Sequence, residues 1–265
     1  MRGYWRDFVK FIPLLIGLTG RDFKLKYRRS FLGIVWSMLN PLLTMLVLTS
    51  VFSIILRQQA IDMPFSVYYI TGATLFNFFN EASSSSMSSI IDNSSLIKKV
   101  YIPKYIFVLE KCSFSFINMV FSLIAMMGVI LFYVITGEVQ LHLTVFLIFI
   151  PVIFVFIFSV GVGLILSAFS VFFRDITHIW GIVMMLWMYF TPLIYSIDLL
   201  RDHGLEWVVR LNPLFYFVDD FRSLMIHGVF PSINHFLISC GICGGTLLFG
   251  ALIFRKVQDR FILHI

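Results

Sequence analysis

Six stretches of this sequence run for roughly twenty residues or more with almost no charge: about 31–56, 65–91, 114–135, 143–173, 176–197 and 236–254, with Glu81 the one acidic interruption. A helix needs about 20 predominantly apolar residues to cross the hydrocarbon of a bilayer. In lipid every backbone polar group must also be satisfied within the protein, which a helix does by itself. The pattern predicts an all-α polytopic membrane protein of six transmembrane helices, organised as a single domain over 1–265. Composition agrees. An ordinary soluble domain is roughly 45–50% apolar and about 25% charged, whereas this chain is 59% hydrophobic and 13% charged, with 31 Phe and a mean hydropathy of +0.94.

Six spans place both termini on one side, and the Lys/Arg distribution selects it. The segment before the first window holds Arg2, Arg6, Lys10, Arg21, Lys24, Lys26, Arg28 and Arg29. Lys98, Lys99, Lys104 and Lys111 follow the second window, Arg174 the fourth, and Arg255, Lys256 and Arg260 the sixth. Sixteen of the 20 basic residues thus fall on one side, against Arg57, Arg201, Arg210 and Arg222. Both termini are expected in the cytoplasm, with the chain multi-pass in its membrane. The net charge of +6 belongs to this asymmetry and not to nucleic-acid binding. No short apolar core followed by a small-residue cleavage site is seen, so no cleavable signal peptide is expected.

Two segments outside the windows have their own character. Residues 1–29 read as a cytoplasmic amphipathic helix, with Trp5, Phe8, Val9, Ile12 and Ile16 at helical spacing, lying along the headgroups. Residues 198–235 mix large aromatics with charges. They read as an external gate region of short amphipathic, re-entrant helices divided at Asn212-Pro213. The serine-rich run at 83–89 sits inside the second window, where hydroxyls can bond carbonyls one turn back without breaking a helix.

Catalytic chemistry finds no support. The chain has no H-E-x-x-H, no G-x-S-x-G and no His/Asp/Glu cluster at metal spacing, and its six histidines are scattered, His178 flanking the fifth window. Cys240-Gly-Ile-Cys243 has dithiol spacing but lies in an apolar helix without a βαβ context, so packing is the expected role. Gly241 and Gly245 in the same segment form a small-xxx-small face suited to close helix approach. Glu81 lies near the cytoplasmic end of its span, where a structural or cavity-lining role is favoured over proton coupling. No phosphate-binding loop of the G-x-x-x-x-G-K-[ST] type occurs, so ATP-driven work would need another chain. The chain is not expected to be an enzyme by itself.

"RDFKLKYRRSFLGIVWSMLNPLL", "FNFFNEASSSSMSSIIDNSSLIKKVYIPKYIF", "FRDI" and "LNPLFYFVDDFR" occur in that order. Together they resemble the transmembrane (permease) subunits of bacterial ABC exporters for polysaccharides, which move lipid-linked O-antigen, capsule or teichoic acid. The resemblance covers essentially the whole chain. It implies a homodimer joined to two copies of a separate ATP-binding-cassette ATPase, with ATP and Mg2+ in that partner and no cofactor in this chain. It also implies a channel at the dimer interface and a cytoplasmic coupling helix at 92–105.

The residues suit those roles. Asn93 or Ser94 can cap a short helix, Leu96, Lys98, Lys99 and Tyr101 offer apolar and charged anchors, and Pro103 stops it. Aromatic faces stack on sugars and leave hydroxyls to water. In the second window Phe65, Tyr68, Tyr69, Gly72, Phe76, Phe79, Ser83 and Met87 recur at helical spacing, so Tyr68, Tyr69, Phe76, Phe79 and Glu81, with Trp36 from the first span, are the expected channel-lining or glycan-contact residues. Pro41 and Pro192 are expected to kink the first and fifth spans. The function expected is ATP-driven export of a lipid-linked polysaccharide; the alternative is export of a drug or small lipid.

Overall fold

The helix that carries the most polar side chains is also the most enclosed. In a computed structural model describing residues 2–28, 32–55, 63–204 and 206–263, the secondary structure of those residues is helical, with no strand. Arg29, Phe31 and Arg57 lie outside the described residues, as do the side chains of Arg2, Trp5, Arg6 and Phe8. The elements are α1 (Arg2–Tyr27), α2 (Val35–Ile55), α3 (Phe65–Asp92), α4 (Ser94–Ile97), α5 (Tyr105–Ile135), a 3-10 turn (Leu143–Leu147), α6 (Phe149–Phe172), α7 (Ile176–Phe190), α8 (Ile197–Asp202), α9 (Glu206–Arg210), α10 (Pro213–Arg222), a π turn (Ser223–His227), α11 (Ile233–Val257) and a closing 3-10 segment (Gln258–Leu263).

α3 stands at the centre, in contact with α2, α5, α6, α7 and α10. Among the described residues, four helical stretches are long and apolar enough to cross a membrane, over Val35–Phe52, Tyr105–Ile135, Leu143–Phe172 and Ile233–Phe261. The two remaining windows differ for separate reasons. α3 is 28 residues long, but its Asn, Glu and Ser side chains lower its hydropathy; shielded by its neighbours, it does not need an apolar coat. α7 is a 15-residue helix because Thr191 turns extended (ψ 126°) before Pro192, the conformation a following proline favours. Pro192 therefore ends this helix where a kink was expected.

Pro41 acts differently. α2 runs on through it, and its missing N–H leaves the Ser37 carbonyl without a helical donor. Ser122 of α5 donates to that carbonyl at 3.1 Å, which ties α2 to its neighbour. The Cys240/Gly241/Gly245 segment of α11 also departs from expectation: a Cβ at Gly241 or Gly245 would meet nothing within 4 Å. The close crossing is made by Gly161 of α6 and Gly250 of α11, where a Cβ on Gly250 would fall 2.3 Å from the Gly161 carbonyl oxygen. Cys240 and Cys243 are free thiols, and Cys243 Sγ donates to the Cys240 carbonyl at 3.3 Å.

Two ends follow. The α4 end gathers α4, the start of α5 and the closing 3-10 segment, pinned by Lys104 Nζ donating to the Gln258 carbonyl at 2.6 Å. The opposite end gathers α8, α9, α10 and the two irregular turns. α1 packs across α5 through Leu15, Leu18, Thr19 and Asp22, leaving Val9 and Ile16 exposed on its open face.

Candidate functional site

The period of α3 places two sets of residues on opposite faces, and packing decides which is open. Tyr68, Phe76 and Phe79 point into the protein. Phe79 has no exposed surface and stacks edge-on with Trp187, ring centroids 5.2 Å apart, and against Phe158 at the same distance. Tyr69 is half-buried, its ring 6.3 Å from that of Phe65. The accessible face carries Asn77, Asn80, Glu81, Ser84, Ser88 and Asp92 at intervals of three or four. It is a polar stripe on the central helix, running to the α4 end.

The stripe is internally braced. Ser84 donates to Asn80 Oδ1 at 3.3 Å and Ser88 to Asp92 Oδ2 at 2.6 Å. Ser83 and Ser85 bond back to the carbonyls of Asn80 and Glu81, as expected for hydroxyls in a helix. On α2, Trp36 is 48% exposed, and Asn40, Thr44 and Ser50 lie on its accessible surface.

Glu81 is where the stripe meets α1. Its Oε1 accepts from Lys26 Nζ and from Asn118 Nδ2, both at 2.8 Å, and Tyr27 donates to Asn118 Oδ1 at 2.9 Å. One carboxylate thus gathers α1, α3 and α5. A second junction pairs Asp22 with Lys111 and with Arg21, the latter at 2.8 Å. Burial alone would raise the Asp22 carboxyl, but the two cations outweigh it and hold the group below its ordinary 3.8. Sequence reasoning took Glu81 as the one deep carboxylate; the structure adds Glu110, fully buried in α5, with neither oxygen hydrogen-bonded and Lys111 Nζ 3.5 Å away. Its neighbours Lys104 and Lys111 make the segment read as a basic loop, which hid it.

At the opposite end Arg222, counted from sequence as a flanking external charge, is buried. It donates to the carbonyls of Tyr68 (2.8 Å) and Pro192 (3.0 Å), and its guanidinium lies 3.6 Å from the Tyr68 ring centroid. The Tyr68 hydroxyl donates to the Pro192 and Tyr195 carbonyls at 3.0 and 2.8 Å. Gly72 gives the guanidinium room, since a Cβ there would stand 2.7 Å from it. Asn212 is the second hub: its Oδ1 caps α10 through Leu214 N at 3.0 Å and accepts from Trp187 Nε1 at 2.7 Å, and its Nδ2 donates to Thr191 Oγ1 at 2.8 Å. Pro213 follows at the first helical position, where its missing N–H costs nothing. These contacts lock α10 onto α3 and α7.

In the 92–105 segment, Asn93 does not cap α4; its side chain donates back to the Ser89 carbonyl at 2.9 Å. Ile97 and Ile102 are buried and Leu96 is half-buried, which roots the segment. Lys98, Lys99, Val100 and Tyr101 are exposed, Tyr101 to 92%. Pro103 then precedes α5. The result is a rigid, rooted platform presenting an aromatic, an aliphatic and two cations. Among the described residues no three His, Cys, Asp or Glu side chains group closely enough to hold a metal ion.

Comparison with known proteins places this architecture. The chain is 29% identical over 250 residues to the O-antigen export system permease protein RfbA of Klebsiella pneumoniae, covering 94% of this chain and 93% of that one. It is 27% identical over 260 residues to the RfbA permease of Myxococcus xanthus, covering 97% and 96%. It is 19% identical over 220 residues to the capsule polysaccharide export inner-membrane protein CtrC of Neisseria meningitidis, covering 83% and 82%. Residues 13–226 match the model of the ABC-2 type transporter membrane family. The chain belongs to the ABC-2 type transporter family.

Proposed function

We propose that this chain is the permease subunit of an ATP-driven exporter that carries a lipid-linked polysaccharide, of the O-antigen, capsule or teichoic-acid class, across the bacterial inner membrane. The relatives' names supply O-antigen and capsule polysaccharide; teichoic acid rests on the sequence resemblance alone. The observation that carries the reading is the polar stripe of α3, accessible on a helix that otherwise forms the core. A row of Asn, Ser, Glu and Asp facing hydrocarbon would cost several kcal/mol per unsatisfied group, so the stripe needs water or another polar surface. Two copies set face to face across their α3 stripes, with α2 and α7 at the flanks, would enclose a hydrated path for hydroxyl-rich sugars. Asn and Ser suit a substrate that must bind weakly and move on.

In this reading α2, α3, α5, α6 with its preceding turn, α7 and α11 make the six spans, and the basic residues keep both termini cytoplasmic. Trp36 and Tyr69 meet the glycan, and Tyr68, Phe76 and Phe79 hold α3 in register behind the path. Glu81 anchors the interface helix α1 at the path's edge. A separate ATPase, supplying ATP and Mg2+, docks on the platform of Leu96, Lys98, Lys99, Tyr101 and Pro103.

The test replaces Asn77, Asn80 and Ser84 together by Leu in a strain dependent on this chain. Surface glycan is expected to fall at least tenfold while assembly with the ATPase persists. Unchanged export would remove the stripe from the path. A parallel Trp36→Ala/Tyr69→Ala variant is expected to lower export without abolishing it.

A further inference from the structure

A groove of about 490 Å3 lies between α1, α5 and α6, walled by Leu15, Ile16, Gly20, Ile117, Ile153 and Phe156. Its lining is almost wholly aliphatic and aromatic, and it is on neither the polar stripe nor the platform. Ile16 is 66% exposed, so the groove is open along its side. Gly20 helps keep it open: this wall residue has no side chain, and a Cβ there would meet nothing within 4 Å. The i, i+4 row that runs through Ile16 and Gly20 along the open edge of the groove continues into Lys24 and, just past the end of α1, Arg28, both exposed, one and two turns on. An open apolar slot thus leads to two cations at the end of the helix that the proposed reading lays along the headgroups.

We propose that this groove binds one anionic glycerophospholipid of the cytoplasmic leaflet, an acyl chain in the slot and the phosphate at Lys24 and Arg28. The site does not depend on the polysaccharide reading. An amphipathic helix at the interface gains from buried apolar area and from anionic lipid together, and here both gains fall on one lipid. A zwitterionic lipid can fill the slot but gains less from the cations, each of which is equivalent to roughly a fivefold change in affinity, about 1 kcal/mol. A lipid seated here also braces α1 against α5 and α6 beside the Asp22–Lys111 contact.

The experiment titrates the purified full-length chain in detergent with palmitoyl-oleoyl phosphatidylglycerol or phosphatidylcholine and counts retained lipid by native mass spectrometry. Phosphatidylglycerol is expected to bind more tightly by up to roughly 25-fold, about fivefold for each cation. Lys24→Gln/Arg28→Gln should bring it close to the phosphatidylcholine value and change phosphatidylcholine much less. Gly20→Leu, which favours helix, should reduce both lipids severalfold by filling the slot; Ile16→Trp, at an exposed wall position, should do the same if Gly20→Leu lowers the melting temperature. Equal affinity of the native chain for the two lipids overturns the headgroup assignment. Native-like retention of both lipids by the slot-filling variants overturns the groove.

Discussion

Replacing Gly250 by Ala tests the packing of α6 against α11. The new methyl would lie 2.3 Å from the Gly161 carbonyl oxygen and 3.1 Å from its carbon, backbone atoms that no side-chain rotation can move aside. Non-bonded heavy atoms sit best about 3.5–4.0 Å apart, so the helices must part by about 1 Å. Ala is the better helix former by about 1 kcal/mol, and overpacking costs about 1–3 kcal/mol, more where backbone must yield. The net loss is about 1–3 kcal/mol. At about 2–4 °C per kcal/mol for a chain of this size, the melting temperature should fall by about 2–12 °C. The assay heats the detergent-solubilised chain and follows the surviving monodisperse fraction by fluorescence-detected size exclusion. Gly241→Ala is the control: its Cβ meets nothing, so it should be neutral or raise stability by up to about 1 kcal/mol. A damaging Gly241→Ala beside a harmless Gly250→Ala would refute the assignment of the crossing.

Asn212→Ala removes the α10 cap and orphans the Trp187 indole N–H; about 1 kcal/mol for the cap and about 1–3 for the buried donor predict a loss of about 2–4 kcal/mol, read by denaturant unfolding with a shift in Trp emission. Asp22 has a folded-state value below its ordinary 3.8, so its contribution is complete above that pH and is lost as pH falls through the lower folded value. Protease cutting of α1 should therefore rise only below about pH 4, and Asp22→Asn should show the acid behaviour at all pH values. Tyr101→Ala, at a 92% exposed position, should leave stability within about 0.5 kcal/mol while weakening co-purification of the ATPase.

The apolar windows located the helices because hydrophobicity is a local property: α2, α5, α6 and α11 begin and end within a few residues of them, apart from the start of α5 and the start of α6, whose window opens on a 3-10 turn. The orientation of α3 was not local. Its aromatic and polar residues both recur at helical spacing, and period alone cannot say which set faces neighbours. The decision rests on Phe158 and Trp187, far along the chain, which claim Phe79. The same holds for the glycines. Gly241 and Gly245 look like a crossing because they share one segment, whereas the crossing pairs Gly161 with Gly250, 89 positions apart in the sequence. Arg222 read as a surface charge because its partners are carbonyls, which carry no residue identity. Asn212-Pro213 was legible as a break, and its chemistry as cap and first helical residue follows from the side chains themselves.

In the proposed six-span reading, the brevity of α7 has a consequence for the barrier itself. Fifteen residues make about 22 Å of helix, against a hydrocarbon thickness of about 30 Å. The difference is occupied by the Thr191–Pro192 turn and the hydrogen-bonded hub of Asn212, polar backbone that lipid tails do not solvate. Beside α7 the bilayer must thin or water must come down to meet the turn. In that reading a hydrophilic polymer passing along this flank would cross an insulating layer about a quarter thinner than the surrounding membrane, which lowers the barrier that the length of one helix leaves to be overcome.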